Sequence, residues 1–247
     1  MPRLGLGSSL TGGPAIDDFE NTGYLLFDGT DDYITIADCS ELEFGEDDFS
    51  FSFWFYPTAN ARMAIIHGSF GADYSWGIDY YQQGTRNINF WASSNGTSWN
   101  MMHADSGGSG IGSASLTLGA WNHVVVLRTG DTIKSYLNKT LDLDESISGE
   151  IVNKANAKSI GTWGPAQYDF PLTGYLDEIA VYSKALSVGE IATLYGSDGD
   201  AANAGNPESI SGLTGYWNCE EGSGSTVADG IGGNDATIVN AVTWGTH

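Results

Sequence analysis

Gly174-Tyr175-Leu176-Asp177-Glu178-Ile179-Ala180-Val181-Tyr182, followed by Ser183-Lys184-Ala185-Leu186-Ser187, decides the reading of this chain. The opening run is rich in aliphatic and aromatic side chains that suit a strand, and it carries two adjacent carboxylates. It runs straight into a short helix that opens with a capping box, in which Ser187 caps the first turn and Glu190 reaches back. Ile191 and Leu194 give that helix an apolar stripe, and Gly196 ends it. Far upstream, Tyr24-Leu25-Leu26-Phe27-Asp28-Gly29-Thr30-Asp31-Asp32-Tyr33-Ile34-Thr35-Ile36 reads as the matching hairpin.

The intervening residues keep the same period. Phe49-Ser50-Phe51-Ser52-Phe53-Trp54-Phe55-Tyr56 alternates and stops at Pro57. Phe49, Phe51, Phe53 and Phe55 are expected in the core. Ser50 and Ser52 point away, and Trp54 and Tyr56 cover the opposite surface. Further strands are expected over residues 62–67, 76–81, 87–92, 98–103, 121–128, 132–137, 158–161 and 172–182, with Gly- and Asn-containing turns between them. Spacing of this kind predicts a sandwich and not alternating strands and helices.

With 247 residues, 41% of them hydrophobic and 12% aromatic, the chain has enough apolar material for one large all-β domain. The formal net charge is −22, which repels phosphate backbones and anionic bilayers. Nucleic-acid binding and membrane insertion are therefore not expected, whereas cations such as calcium are favoured. Cys39 and Cys219 are too few for a disulfide framework and have no zinc spacing, so free thiols are expected. Residues 1–20 are Gly- and Ser-rich without periodicity and read as an extended arm. They contain no apolar secretory core, so no signal peptide is expected. The domain spans 21–196, a polar linker 197–209, and a short β segment 210–247. That last piece is too small for its own core and must pack on the sandwich or on a neighbouring subunit.

These motifs together resemble the laminin-G-like, concanavalin A-like lectin/glucanase superfamily. Phe27-Asp28-Gly29-Thr30-Asp31-Asp32-Tyr33 is similar to its opening motif, and Phe51–Pro57 to its second signature strand. Trp121-Asn122-His123-Val124-Val125-Val126 with Lys134-Ser135-Tyr136-Leu137-Asn138 resembles its central hairpin, and 174–187 its closing strand. The resemblance implies an all-β, concanavalin A-like jelly-roll sandwich with one short helix and a C-terminal β appendage. Leu213-Thr214-Gly215-Tyr216-Trp217 and the residues up to Gly224 resemble a segment that usually precedes such a domain. A similar arrangement occurs in short virion proteins of tailed bacteriophages. The expectation is thus a non-catalytic virion protein, a capsid decoration or fibre-like adhesin that is released by host lysis. Its expected partners are capsid or tail proteins, cell-surface glycans and further copies of itself. The alternative is a carbohydrate-binding module of a secreted bacterial glycan-processing protein.

Candidate sites follow from side-chain chemistry. Sugars stack their apolar faces on aromatic rings while amides grip their hydroxyls. Trp99 and Trp163 in polar surroundings, with Trp76 and Asn100, are the carbohydrate candidates, whereas Trp91 reads as core. By resemblance, Asp28 and Asp177, with Asp31, are the calcium ligands; an Asp-Gly turn explains Asp28 and Asp31 equally well. Asp142-Leu143-Asp144-Glu145 is the only tight acidic cluster and lacks the spacing of the related glucanases, so no catalytic residue is assigned. His123 reads as a core histidine.

Overall fold

The computed structural model describes residues 19–68, 73–82, 86–103, 109–164 and 169–247, so nearly all of the expected arm over residues 1–20 lies outside the described residues. Fifteen strands occur among the described residues. They are β1 (Gly23–Asp28), β2 (Tyr33–Ile36), β3 (Phe49–Pro57), β4 (Met63–His67), β5 (Trp76–Gln82), β6 (Arg86–Ala92), β7 (Asn122–Thr129) and β8 (Thr132–Leu137). Then come β9 (Thr140–Ser146), β10 (Lys158–Ile160), β11 (Thr173–Tyr182), helix α1 (Val188–Tyr195), β12 (Leu213–Trp217), β13 (Thr226–Val227), β14 (Ala236–Val239) and β15 (Thr243–Thr246).

Two antiparallel sheets face each other. The first runs β15-β1-β11-β3-β7-β8-β9, with β12 also on β11; the second runs β13-β14-β2-β10-β4-β5-β6. Phe49, Phe51, Phe53 and Phe55 of β3 pack with Ile34, Ile66, Trp76, Ile78, Tyr80 and Phe90 of the second sheet in one core. The long strand β11 is central to the first sheet because its two halves have different neighbours. β1 pairs with its residues 173–176 and β12 with 179–182.

The C-terminal residues are woven into both sheets. β15 lies beside β1, β12 beside β11, and β14 beside β2. Trp217 is fully buried in the main core, its indole N–H donating to the Asn234 carbonyl. Between α1 and β12 the chain makes two 3-10 turns, 201–203 and 207–209, and Tyr182 donates to the Pro207 carbonyl.

Two expectations change. Residues 98–103 form no strand, only a single bridge from Met102 to Ala92. Residues 140–146, read only as an acidic cluster, form edge strand β9. Ser50 and Ser52 point away from the core as expected, and α1 and its flanks cover that half of the first sheet. Ser50 Oγ donates to the Lys184 carbonyl and accepts from the Leu186 amide, while Ser52 meets His123 Nε2 at 2.8 Å. Burial pushes the His123 imidazole down to about 3, so it is a neutral structural group. The capping box of α1 forms as expected, and Lys184 and Ser187 hold the Glu190 carboxyl down at about 2. Both cysteines are free, Cys39 half-buried and Cys219 buried.

Candidate functional site

Alternation along β6 points Ile88 and Phe90 into the core and Asn87, Asn89 and Trp91 outward. Across the ladder, Asn89 pairs with Asp79 of β5 and Trp91 with Gly77. Gly77 is in turn opposite His67 of β4. A Cβ on Gly77 would lie 2.4 Å from the imidazole, so only glycine lets His67 lie flat over β5. The outer face of the second sheet therefore gathers Asn87, Asn89, Trp91, His67 and Asp79 on one surface.

The charged groups there are linked. His67 Nε2 lies 2.5 Å from Asp79 Oδ1, and Arg62 Nη2 donates to Asp79 Oδ2 at 2.9 Å. The Arg62 guanidinium sits 3.9 Å above the Phe170 ring and 5.1 Å from Trp91. Above this floor lies an aromatic layer. Trp99 and Trp163 stack with centroids 6.2 Å apart, Tyr74 meets Trp99 edge-on at 5.0 Å, and Trp163 is 6.2 Å from His67. The three rings of this layer are half-exposed. The sheet face is buried yet incompletely paired: among the described residues Asn87 Oδ1, both amide atoms of Asn89, Trp91 Nε1 and His67 Nδ1 have no hydrogen-bond partner. A buried amide left unmet costs about 1–3 kcal/mol, so such a floor calls for water or ligand hydroxyls.

Of the carbohydrate candidates, the structure brings Trp99 and Trp163 together. Trp76 is corrected: it points into the core, 1% exposed, with its N–H donating to the Leu42 carbonyl. Asn100 stands beside Trp99, but its amide is used inside the loop, accepting from the Ser94 amide and donating to Ser94 Oγ. Trp91 is buried as expected but on the outer face. Sequence reading missed Asn89 and the Arg62–Asp79–His67 link. The alternation of Asn87, Asn89 and Trp91 along one strand was the signal that carried them.

The proposed calcium ligands separate. Asp28 pairs with Thr173, so Asp177 is four residues further along β11, roughly 13 Å away, and the two cannot hold one ion. Asp32 replaces it: Asp28, Asp31 and Asp32 each present a carboxylate oxygen within 4.8 Å of the others. Asp32 also accepts from the Asp28 and Ala241 amides, and Asp28 from the Thr30 amide, which is the turn reading of the same residues. Hard oxygen donors of this kind suit calcium, and water would complete the six to eight ligands it takes.

Asp177 is buried at a bulge in β11, accepting from Asn21 at 2.7 Å and lying 3.0 Å from His247 Nε2. Burial raises its carboxyl to about 6. Its neighbour Glu178 has φ 52, and both its oxygens accept from the Tyr216 hydroxyl; burial first and Asp177 second raise it well above the carboxylate range. The pair thus fastens β12, Asn21 and His247 to the first sheet. Asp142 accepts from the Ser113 and Ala114 amides, Asp144 pairs with Lys134, and Glu145 accepts from the Gly110 amide. All three carboxylates pin neighbouring groups.

The concanavalin A-like lectin/glucanases superfamily model matches residues 28–192, about two-thirds of the chain, and the chain belongs to that superfamily. Among curated protein sequences, none matches. A candidate carbohydrate binding protein from Bacteroides ovatus superposes with TM-score 0.66 at 15% identity, covering 92% of this chain and 60% of that one. The chain thus spans 60% of that protein's length. The native heptameric SAP-like pentraxin from Limulus polyphemus superposes with TM-score 0.60 at 14% identity, covering 92% and 95%. At these identities the likeness is one of fold.

Proposed function

We propose that this concanavalin A-like chain is a non-catalytic glycan-binding module whose binding surface is the outer face of the second sheet. The observation that carries this reading is the row of unpaired buried atoms, Asn87 Oδ1, both amide atoms of Asn89, Trp91 Nε1 and His67 Nδ1, on the face where half-exposed Trp99 and Trp163 meet Trp91 and His67. Aromatic rings take the apolar face of a sugar, and unmet amides and ring nitrogens take its hydroxyls. His67 Nε2 is engaged by Asp79, which leaves Nδ1 as the ring nitrogen available to a hydroxyl. The non-catalytic reading is supported by the engagement of Asp142, Asp144 and Glu145 in loop anchoring. Calcium at Asp28, Asp31 and Asp32 belongs to the same proposal, as a staple between the β1–β2 turn and residues 240–241.

A glycan array run in calcium and again in chelator tests this directly. Trp163→Ala and Asn89→Leu should each abolish the signal while the fold survives; unchanged binding by both variants overturns the site. Loss of thermal stability in chelator, absent in Asp31→Asn, is expected if the ion is bound there.

The setting we propose is a bacteriophage particle, on which self-associating copies decorate the capsid or form a fibre-like adhesin. The resemblance of the sequence to such virion proteins supports it. Mass spectrometry of purified particles tests it. Presence only in the lysate, and never in particles, removes the virion reading and leaves the secreted carbohydrate-binding module.

A further inference from the structure

We infer that the half of the first sheet's outer face left uncovered among the described residues carries a second glycan-binding platform, built from Tyr24, Tyr56, Tyr175 and Trp121, for a neutral sugar ring. It lies on the opposite side of the sandwich from Trp99 and Trp163 and does not depend on that site. Tyr175 of β11 is directly opposite Tyr56 of β3, and Tyr24 of β1 is diagonal to Tyr175. Their rings form one stack, with centroids 4.8 and 4.9 Å apart and interplanar angles of 26° and 22°. Trp121 stands across that stack, 5.6 Å from Tyr24 and 5.5 Å from Tyr56, at 71° and 75°. Gly245 of β15 makes the room: a Cβ there would fall 2.1 Å from the Tyr24 ring.

These aromatics line a groove of about 390 Å³ whose other walls are Asp200, Ala202, Thr246 and His247. That volume falls in the small-ligand range of roughly 300–1,000 Å³. All four aromatic side chains are half-exposed, so the cluster is not a buried core. Among the described residues, no hydrogen bond is made by the three tyrosine hydroxyls, and Asp200 uses only Oδ1, on the Ala202 amide. The groove thus offers flat apolar surface next to three donor-acceptor hydroxyls and one acceptor carboxylate, which matches the two-sided chemistry of a sugar. Its lining includes Asp200 and no lysine or arginine, on a chain of net charge −22, so uronic and sialic acids are repelled and neutral hexoses or N-acetylhexosamines are admitted. Sites on both faces would let one sandwich bridge two glycan chains and gain avidity.

The test uses the full chain labelled with fluorotryptophan, titrated with cellotetraose, maltotetraose, chitotetraose and, as an anionic control, trigalacturonate. We expect a neutral probe to shift the Trp121 resonance, assigned with Trp121→Phe, and the trigalacturonate to leave it in place. Tyr56→Ala should weaken that response about tenfold or more, while Trp163→Ala leaves it intact. No Trp121 shift with any neutral probe at millimolar concentration overturns the second site, whatever happens at Trp99 and Trp163. A Trp121 shift with none at Trp99 or Trp163 keeps the second site and removes the first. Trp121→Phe and Tyr56→Ala are checked for folding by thermal melting. Should Tyr56→Ala unfold, Tyr56→Phe, which removes only a hydroxyl, must still weaken the response for the proposal to stand.

Discussion

Each sheet buries a histidine on its outer face, and the two surroundings differ. His123 of the first sheet lies beneath the chain's own covering: Ser52 meets its Nε2, Trp54 is 5.0 Å away, and Tyr195 of α1 is 6.2 Å away. Around it, Leu186, Ile191, Leu194, Ile210 and Tyr216 close a second apolar cluster. In this covered region His123 Nδ1 and Asn21 Oδ1 lack a partner among the described residues. Among the described residues His67 of the second sheet has no helix above it. Half-exposed Trp163 lies there instead, and five polar atoms of that face are unmet among the described residues. Where the chain covers a sheet with its own helix, most of the polar groups below are satisfied. On the second sheet the polar groups are buried as well, but more of them are unmet, and an unpaired buried group calls for water or a ligand hydroxyl.

The largest expected effect separates the two faces. Ile191→Ala should cost about 2–5 kcal/mol, because that side chain is fully buried under α1, yet glycan binding should persist wherever the protein remains folded. Trp99→Ala should do the reverse, losing about 1 kcal/mol or less in stability while abolishing binding. Urea denaturation beside glycan titration reads both. Equal loss of both properties in both variants would break the comparison.

Gly77→Ala comes next. Its new methyl has to displace the His67 ring, at a cost of about 1–3 kcal/mol. The His67–Asp79 contact should go with it, and glycan affinity should fall. The crystal structure of the variant would show the rotated ring; an unmoved His67 with intact binding would sink the account of that face.

The third test concerns the pair that holds Asn21, His247 and Tyr216. Asp177 is raised to about 6 and Glu178 is raised well above its ordinary value, so the folded protein holds protons that the unfolded chain has released. Stability must therefore fall as pH rises, beginning near the unfolded carboxylate range of about 4 and continuing through about 6 and beyond. Adjacent carboxyls titrate as a pair, so the slope belongs to both. Glu178→Gln keeps an acceptor for the Tyr216 hydroxyl and removes one charge. It should flatten the profile and stabilise the protein at pH 8 relative to pH 5. An unchanged slope in thermal melts across that range would exclude the pair as its source.

Much of the scaffold was legible because it is periodic. Phe49, Phe51, Phe53 and Phe55 declare the core face of β3, and Ser187 with Glu190 declares the start of α1. The site was less legible, since sequence gives the face of a strand but not what covers it. Trp76 and Trp91 sit on successive paired strands with opposite orientations, and no local signal tells which of them meets solvent chemistry. Asp28 and Asp177 belong to paired strands, yet the register alone places them apart. The tyrosine platform was invisible for the same reason: Tyr24, Tyr56, Tyr175 and Trp121 come from four distant stretches that only the sheet order brings together.

The smallest effect is the most discriminating for the covered face. Ser187 accepts from the Glu190 amide and Glu190 returns to the Ser187 amide, so Ser187→Ala removes one side of the capping box and costs about 1 kcal/mol. The change loosens the helix that covers Ser52 and His123 without touching the second sheet. Glycan affinity should stay within error while the melting temperature drops by a few degrees. Glu190, held at about 2 chiefly by Lys184 and then by Ser187, stabilises the fold above about pH 4.5 and loses that contribution as pH falls toward 2. In Ser187→Ala that acid limb should be shallower. If the variant instead weakened glycan binding, the helix and the second sheet would be coupled through the core, and the two outer faces could no longer be treated as independent surfaces.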